Sequence, residues 1–361
     1  MNHTNPNAGL RRLLVVVPNW VGDFVLATPA LRAIRSVFPD VHITFLIRPA
    51  LRELLDGADW MNEVLFWPAG KTRLLKRQGF LGLAQQIREK RFDAAALMTN
   101  SFRSALLTYL AGIKRRIGYD RNGRGLLLTD KLLADKCGGK YVPVPMTRYY
   151  NAIARYLGAR DLPMWPEMFT TPEEEAVVQA LFDEHGVRNG RPVVVVNPGA
   201  SFGSAKCWLP DRFGRVADAL IEEFDAVVFI SCAPKERDVA REVSASMRNE
   251  PVVLDRPLIS LGPLKALVRR CDLLVTNDTG PRHFGVAFGV PIVTLFGSTD
   301  PAWTETGYPN ERQLMVKVPC GPCMKRVCPL DHRCMTRITA EMVLEAARGL
   351  LAQRPASTGS R

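Results

Sequence analysis

The sequence predicts an α/β protein built as two doubly wound domains that face each other across a cleft. Three observations carry that reading. Short β-branched runs alternate with helix-length amphipathic stretches through the first half, and the same alternation returns in the second half. Between them, near residues 160–170, lies a stretch rich in Pro and turn residues. Such alternation is the sequence form of a parallel sheet wrapped by helices. The 361 residues, 47% of them apolar, suffice for two medium cores. The break gives domains 1–165 and 166–361.

In the first domain residues 13–18 read as a strand and 24–37 as a helix. Strand 42–47, helix 50–55, strand 63–67, helix 81–90 and strand 94–98 follow. Between residues 114 and 145 the pattern blurs, and segments 119–125 and 137–140 read as loops because Gly and Asn supply the positive φ that turns need. A helix at 146–157 closes the domain. The second domain opens on Thr171-Pro172-Glu173-Glu174-Glu175, where Thr, Pro and acidic residues mark a helix start. Strands are expected at 193–196, 226–230, 252–254, 273–276 and 292–296. Helices are expected at 213–224, 235–247 and 264–270, with a helix end at 285–288.

The formal charge of +12 is unevenly spread: residues 1–165 carry +13 and residues 166–361 carry −1. Basic residues cluster at Arg73, Lys76 and Arg77, at Arg88, Lys90 and Arg91, and from Lys114 to Arg124. This asymmetry points to an anionic partner for the first half, whether nucleic acid, an acidic membrane surface or a phosphorylated substrate; solubility alone is the plain alternative. Few aromatic residues are interleaved and no zinc-finger or RNA-binding signature is present, which sets nucleic acid aside. No apolar run reaches the ~18 residues needed to span a bilayer. The run after Arg11-Arg12 is broken by Pro18, Asn19 and Asp23 and lacks a small-residue cleavage site. The expectation is a cytoplasmic protein with at most peripheral membrane contact.

Open parallel sheets bind ligands at the carboxyl ends of their strands, and the informative motifs fall there. Thr276-Asn277-Asp278-Thr279-Gly280-Pro281-Arg282-His283 joins an apolar strand to a helix, so unpaired N–H groups at a helix N-terminus would favour an anion. His283 either holds a phosphate oxygen or fills a core helix. Asn197 to Trp208 is a second strand-to-helix turn whose small residues allow close approach to an anion, with Ser201 as a donor and Lys206 as a point charge. It lacks the Walker spacing, and an ordinary turn is the alternative. Glu236 stands at another strand end, where a carboxylate binds ribose hydroxyls or caps a helix. Asp23, after Gly22 at the first strand's mouth, either caps the next helix or stays ionised and accepts a proton.

Cys320, Cys323, Cys328 and Cys334 follow the spacing C-x₂-C-x₄-C-x₅-C, with His332 among them. Structural zinc on four thiolates, free thiols and disulfides are the readings open to such a cluster. Cys137, Cys207, Cys232 and Cys271 are scattered and read as structural.

Taken together, Pro18-Asn19-Trp20-Val21-Gly22-Asp23, Asn100-Ser101-Phe102-Arg103-Ser104-Ala105, Pro198-Gly199-Ala200 with Lys206 and Trp208, and Asn277-Asp278-Thr279-Gly280 with His283 resemble the ADP-heptose:lipopolysaccharide heptosyltransferases. The likeness runs over residues 12–350, and the Trp-Val-Gly-Asp form looks most like heptosyltransferase II. The resemblance implies a GT-B fold and transfer of L-glycero-D-manno-heptose from ADP-heptose to the lipopolysaccharide inner core, with inversion. It implies Asp23 as general base. Ser201, Lys206, Glu236, Asp278, Thr279, Gly280 and His283 would bind the donor, and Asn100, Arg103 and Arg121 the acceptor. No metal is needed for the leaving group, since fixed charges and N–H groups stabilise it. The basic half would then meet a phosphorylated, Kdo-bearing acceptor on lipid A at the inner membrane. Pro281-Arg282 departs from many relatives, and Arg282 would add a phosphate contact or point to solvent. A transferase using another sugar nucleotide and a non-catalytic glycan-binding protein are the competing readings.

Overall fold

The structure is a computed structural model, and it describes residues 9–68, 79–188 and 190–353. The basic cluster Arg73, Lys76 and Arg77 lies outside the described residues. The chain divides into two compact units, Met1–Pro166 and Glu167–Arg361.

The first unit carries strands β1 (Arg12–Val16), β2 (His42–Ile47), β3 (Glu63–Phe66), β4 (Ala94–Leu97), β5 (Arg115–Tyr119) and β6 (Asp130–Leu132), and a two-strand hairpin of β7 (Lys136–Cys137) and β8 (Lys140–Tyr141). Its helices are α1 (Val21–Val37), α2 (Phe80–Glu89), α3 (Phe102–Leu110) and α4 (Met146–Tyr156). β1 to β6 form one sheet in the order β3-β2-β1-β4-β5-β6, with every neighbouring pair parallel. Leu13 to Val16 and Ala94 to Leu97 are fully buried, as central parallel strands covered on both faces must be. Each buried Val or Leu removes apolar surface worth roughly 1.5–3 kcal/mol.

Helix α1 contains Pro29, which can donate no bond to the carbonyl of Val25 four residues back. The Thr28 hydroxyl donates to that carbonyl instead, at 2.8 Å, so the helix that carries Asp23 runs on without an orphaned acceptor.

The second unit repeats the plan. Its strands are β9 (Val193–Asn197), β10 (Val227–Ile230), β11 (Val252–Val253), β12 (Leu273–Asn277), β13 (Ile292–Phe296) and β14 (Glu311–Met315). Its helices are α5 (Pro172–Glu184), α6 (Pro210–Phe224), α7 (Arg237–Ala245), α8 (Leu261–Arg270), α9 (Gly280–Phe288), α10 (Arg333–Thr336) and α11 (Ala340–Leu351). The sheet order is β11-β10-β9-β12-β13-β14, again all parallel. Helix α5 opens with a reciprocal capping box between Thr171 and Glu174.

Both sheets reverse winding between their first and fourth strands, which makes the β1/β4 and β9/β12 ends the ligand crevices of doubly wound folds. The blurred segment 114–145 is not all loop: it supplies β5 and β6. Their apolar signal is hidden because Arg115 and Asp130 pair across the two strands at 3.1 Å while Arg116 donates to the carbonyl of Leu127 at 2.6 Å. Residues 50–55 form a 3₁₀ turn rather than an α-helix. Cys137 is exposed on β7, so it fills no core position; Cys232 and Cys271 are buried.

Candidate active site

At the β1/β4 crevice, β1 ends at Val16 and α1 starts at Val21, capped by backbone alone at Trp20. Asp23 stands in the first turn, where the helix dipole favours its anionic form. Its Oδ1 accepts a hydrogen bond from the Tyr150 hydroxyl at 3.3 Å. Asn100 follows β4, and its Oδ1 accepts from the Tyr149 hydroxyl at 2.9 Å and from Arg124 at 3.3 Å.

Arg124 is fully buried. Its bonds run to neutral oxygens: the carbonyl of Tyr119 at 2.9 Å, the carbonyl of Thr99 and the Ser104 hydroxyl at 3.4 Å. Burial pulls its pKa down to about 10, still far above neutrality. A positive charge is thus fixed beneath the end of β4.

Arg121 stacks on the Tyr141 ring at 3.7 Å and lies 5.8 Å from the Tyr149 ring, within cation–π range. Asn100 and Arg121 therefore share one aromatic group built on Tyr149. Arg103 is placed differently. It is exposed on α3 and lies over the Trp67 and Phe80 rings at 5.7 and 5.1 Å.

At the β9/β12 crevice the turn after β9 is pinned by Asn277, whose Nδ2 donates to the carbonyl of Pro198 at 2.7 Å and whose Oδ1 accepts from the N–H of Trp208 at 3.1 Å. One buried side chain holds both ends of the loop that carries Lys206. The Lys206 ammonium donates to Asp278 twice, to Oδ2 at 2.6 Å and to its backbone carbonyl at 2.7 Å. Thr299 donates to the same Oδ2 at 2.8 Å, and Arg282 to Oδ1 at 3.2 Å. Burial alone would raise the Asp278 pKa, but the charges of Lys206 and Arg282 and these hydrogen bonds outweigh it and hold the carboxyl well below its ordinary range.

Arg282 neither points to solvent nor offers itself to a phosphate. It is fully buried and clamps Glu311 through Nε at 2.6 Å and Nη2 at 3.0 Å, with Thr304 at 2.7 Å. An unpaired buried guanidinium would be costly, and the two carboxylates at Glu311 and Asp278 supply its counter-charge.

Helix α9 begins at Gly280 with Thr279 as a backbone N-cap and no side-chain cap. Pro281 offers no N–H, and the N–H of Arg282 donates to the Thr279 carbonyl at 3.2 Å, so the helix meets an anion mainly through the positive end of its dipole. His283 is 3% exposed and its Nδ1 has no hydrogen-bond partner. Burial, reinforced by Arg282, pushes its pKa down to about 3, so it is a neutral imidazole.

Ser201 and Glu236 come together, the hydroxyl donating to Oε1 at 3.3 Å, while Oε2 accepts from the N–H of Ala233 at 3.1 Å. A Cβ at Gly199 would stand 2.1 Å from that Oε2, so glycine is what lets the carboxylate reach the turn. Gly203 has φ 154°, and a Cβ there would stand 2.2 Å from the carbonyl oxygen of Arg326. That carbonyl accepts from the N–H of Ala205 at 3.0 Å, and His332 Nε2 lies 3.1 Å from the Ala205 carbonyl. The cysteine-bearing segment therefore braces the Lys206 loop.

The four clustered cysteines form no disulfide in the structure and line one cavity of about 20 Å³ beside Ala205 and His332. Among the described residues no three His, Cys, Asp or Glu side chains form a group able to share a metal ion. Also among the described residues, no helix is long and apolar enough to cross a membrane.

Residues 80–333 match the family model "Glycosyltransferase family 9 (heptosyltransferase)". The chain belongs to this family. Lipopolysaccharide heptosyltransferase 2 of Escherichia coli K12 is 30% identical to the family 9 chain over 361 residues, 96% of this chain and 100% of the relative. The solved structure of E. coli ADP-heptose lps heptosyltransferase II superposes on it with a TM-score of 0.76 at 26% identity, covering 95% of this chain and 99% of that one. A glycosyltransferase family 9 structure from Veillonella parvula gives a TM-score of 0.80 at 23% identity, with 96% and 98% covered, and so agrees in fold. The chain is a family 9 glycosyltransferase with the GT-B architecture of heptosyltransferase II.

Five residues of the two crevices of this family 9 chain were not marked by the sequence motifs: Tyr149, Tyr150 and Arg124 in the first unit, Thr299 and Glu311 in the second. Tyr149 and Tyr150 sit in an amphipathic helix whose apolar stripe reads as ordinary core, and Glu311 opens a strand with no turn motif. Adjacent tyrosines beside a basic, Gly-rich loop were the available signal for the first pair.

Proposed function

We propose that the chain moves a heptose from ADP-heptose onto the inner core of lipopolysaccharide with inversion at the anomeric carbon. The arrangement that carries the reading is Lys206 locked against Asp278 at the mouth of an uncapped α9, in a chain that matches a heptosyltransferase 2 end to end. The Lys206 ammonium has three protons; two serve Asp278, and the third, with the positive end of the α9 dipole, meets the diphosphate and stabilises the leaving ADP. Asp278 acts by holding the lysine rather than by touching phosphate. Glu236, aimed by Ser201 and the N–H of Ala233, takes the ribose hydroxyls.

Asp23 takes the proton from the acceptor hydroxyl as that oxygen attacks the anomeric carbon, and the C–O bond to the diphosphate breaks as the new one forms. The cation at Arg121, fixed among Tyr141 and Tyr149, and the excess of positive charge in residues 1–165 fit a phosphorylated Kdo–lipid A acceptor presented at the cytoplasmic face of a membrane. Arg103, lying apart on α3, would meet a more distant part of the same acceptor.

The test is transfer from ADP-heptose, run beside UDP- and GDP-sugars, to a heptose-bearing inner-core acceptor, with mass spectrometry of the product. A gain of one heptose that requires the ADP donor is expected, falling by roughly 10²–10⁴-fold in Asp23→Asn. A gain only with another donor would overturn the sugar assignment, and an active Asp23→Asn would overturn the base.

A further inference from the structure

We infer that Tyr150 is the positioning residue of the Asp23 carboxylate, an inference that rests on Asp23 being the base. Tyr150 lies on α4 and is 3% exposed, so its hydroxyl has to find a protein partner. The partner is Asp23 Oδ1, 3.3 Å away on α1. A hydrogen bond to one carboxylate oxygen, long at 3.3 Å, restrains rotation of the group and so biases the direction in which the other oxygen faces.

Tyr149 stands edge-on to the ring, with centroids 5.8 Å apart and planes at 84°, and restrains it on that side. Tyr149 is itself stacked on Tyr119 at 3.7 Å, and its hydroxyl is tied to Asn100 at 2.9 Å. Two consecutive residues of one helix thus serve two tasks: Tyr150 sets the base, and Tyr149 sets Asn100 and the ground on which Arg121 lies. The groups facing Tyr150 are Asp23 from α1, Tyr149 on its own helix and Arg121 from the loop after β5. Burial first, and the nearby Asp23 charge next, push the phenol well above its ordinary pKa. The hydroxyl therefore remains a donor throughout the working range, and a donor to a carboxylate favours the anion.

Tyr150→Phe keeps the ring and removes one oxygen, so the fold is preserved and the hydroxyl alone is tested. With the full chain, ADP-heptose and a heptose-bearing acceptor, kcat is expected to fall about tenfold. The KM for ADP-heptose should stay within about twofold, because the hydroxyl removed serves Asp23 and the donor residues are assigned to other elements. The acid limb of the kcat–pH profile should move to higher pH, as a carboxylate that has lost a hydrogen bond protonates more readily. In an Asp23→Asn background the same change should cost nothing further.

A Tyr150→Phe protein with wild-type kcat and an unmoved acid limb would overturn the inference. So would one whose thermal midpoint drops while its kcat and pH profile stay put, since that is the signature of packing alone. An active Asp23→Asn protein is a different failure, read on a different variant; it removes the base assignment and takes this inference with it.

Discussion

His283 is buried in the first turn and a half of α9 with an unpartnered Nδ1, and its pKa is pushed down to about 3 by burial and then by Arg282. In the unfolded chain a histidine titrates near 6.5. Between those values the unfolded state holds a proton that the folded state refuses, so stability rises with pH across that window and is lost as pH falls through it. Asp278 acts in the same direction at lower pH: its depressed folded pKa contributes stability above the ordinary carboxylate value near 3.9, lost as pH falls through the folded value. Thermal midpoints followed from about pH 7 to 4.5 should therefore decline in the wild type and decline less in His283→Asn. Equal slopes would mean that His283 is not the titrating group. The sequence named His283 and left its role open between phosphate ligand and core residue. Only the surrounding burial settles that it is neutral, because desolvation depends on neighbours far along the chain.

The loop between β9 and α6 shows how an element inherits its shape from another. Its two ends are held by Asn277 at the end of β12, and its middle is bracketed by the carbonyl of Arg326 and by His332. Replacing Asn277 with Ala leaves a buried carbonyl and a buried N–H without that partner, a cost of about 1–3 kcal/mol per stranded group. The expected outcome is a lowered thermal midpoint together with weaker ADP binding by calorimetry. A variant that lost stability but bound ADP as tightly as the wild type would show that the loop holds its shape without Asn277.

Central strands such as β9, β12 and β13 were legible because both of their faces are buried and their residues form short apolar runs bounded by turn residues. Helix α3, strand β14 and helix α11 carried no such mark and were not anticipated. β14 reads Glu-Arg-Gln-Leu-Met, an edge strand whose Glu311 points to a buried arginine rather than to water. Among the candidate residues, Asp23 in the first unit and Lys206, Asp278 and Glu236 in the second stand out because each lies in the segment that follows a strand end. Tyr150 and Arg124 do not, because their meaning lies in partners more than 20 residues away.

At the scale of the whole molecule, the two units carry separate sheets of identical strand order and separate hydrophobic cores. Units of this kind unfold as distinct cooperative blocks unless their interface couples them strongly. Scanning calorimetry is expected to resolve two transitions, and ADP to raise the one that belongs to Glu167–Arg361, since a ligand stabilises what it binds in proportion to RT ln(1 + [L]/Kd). A single transition that shifts as a whole would show that the two cores melt together. The charge follows the same division, with the net positive excess confined to residues 1–165. Raising salt should accordingly weaken recognition of an anionic acceptor by the first unit.

The bond from the N–H of Ala205 to the carbonyl of Arg326 uses main-chain atoms on both sides. Exchanging the side chain at 326 therefore leaves it in place, whereas adding or deleting one residue between Cys320 and Cys334 would slide the carbonyl off its partner. At this point the protein's tolerance is set by counting rather than by spelling: the segment can be rewritten letter by letter, but its length is fixed by the loop it has to meet.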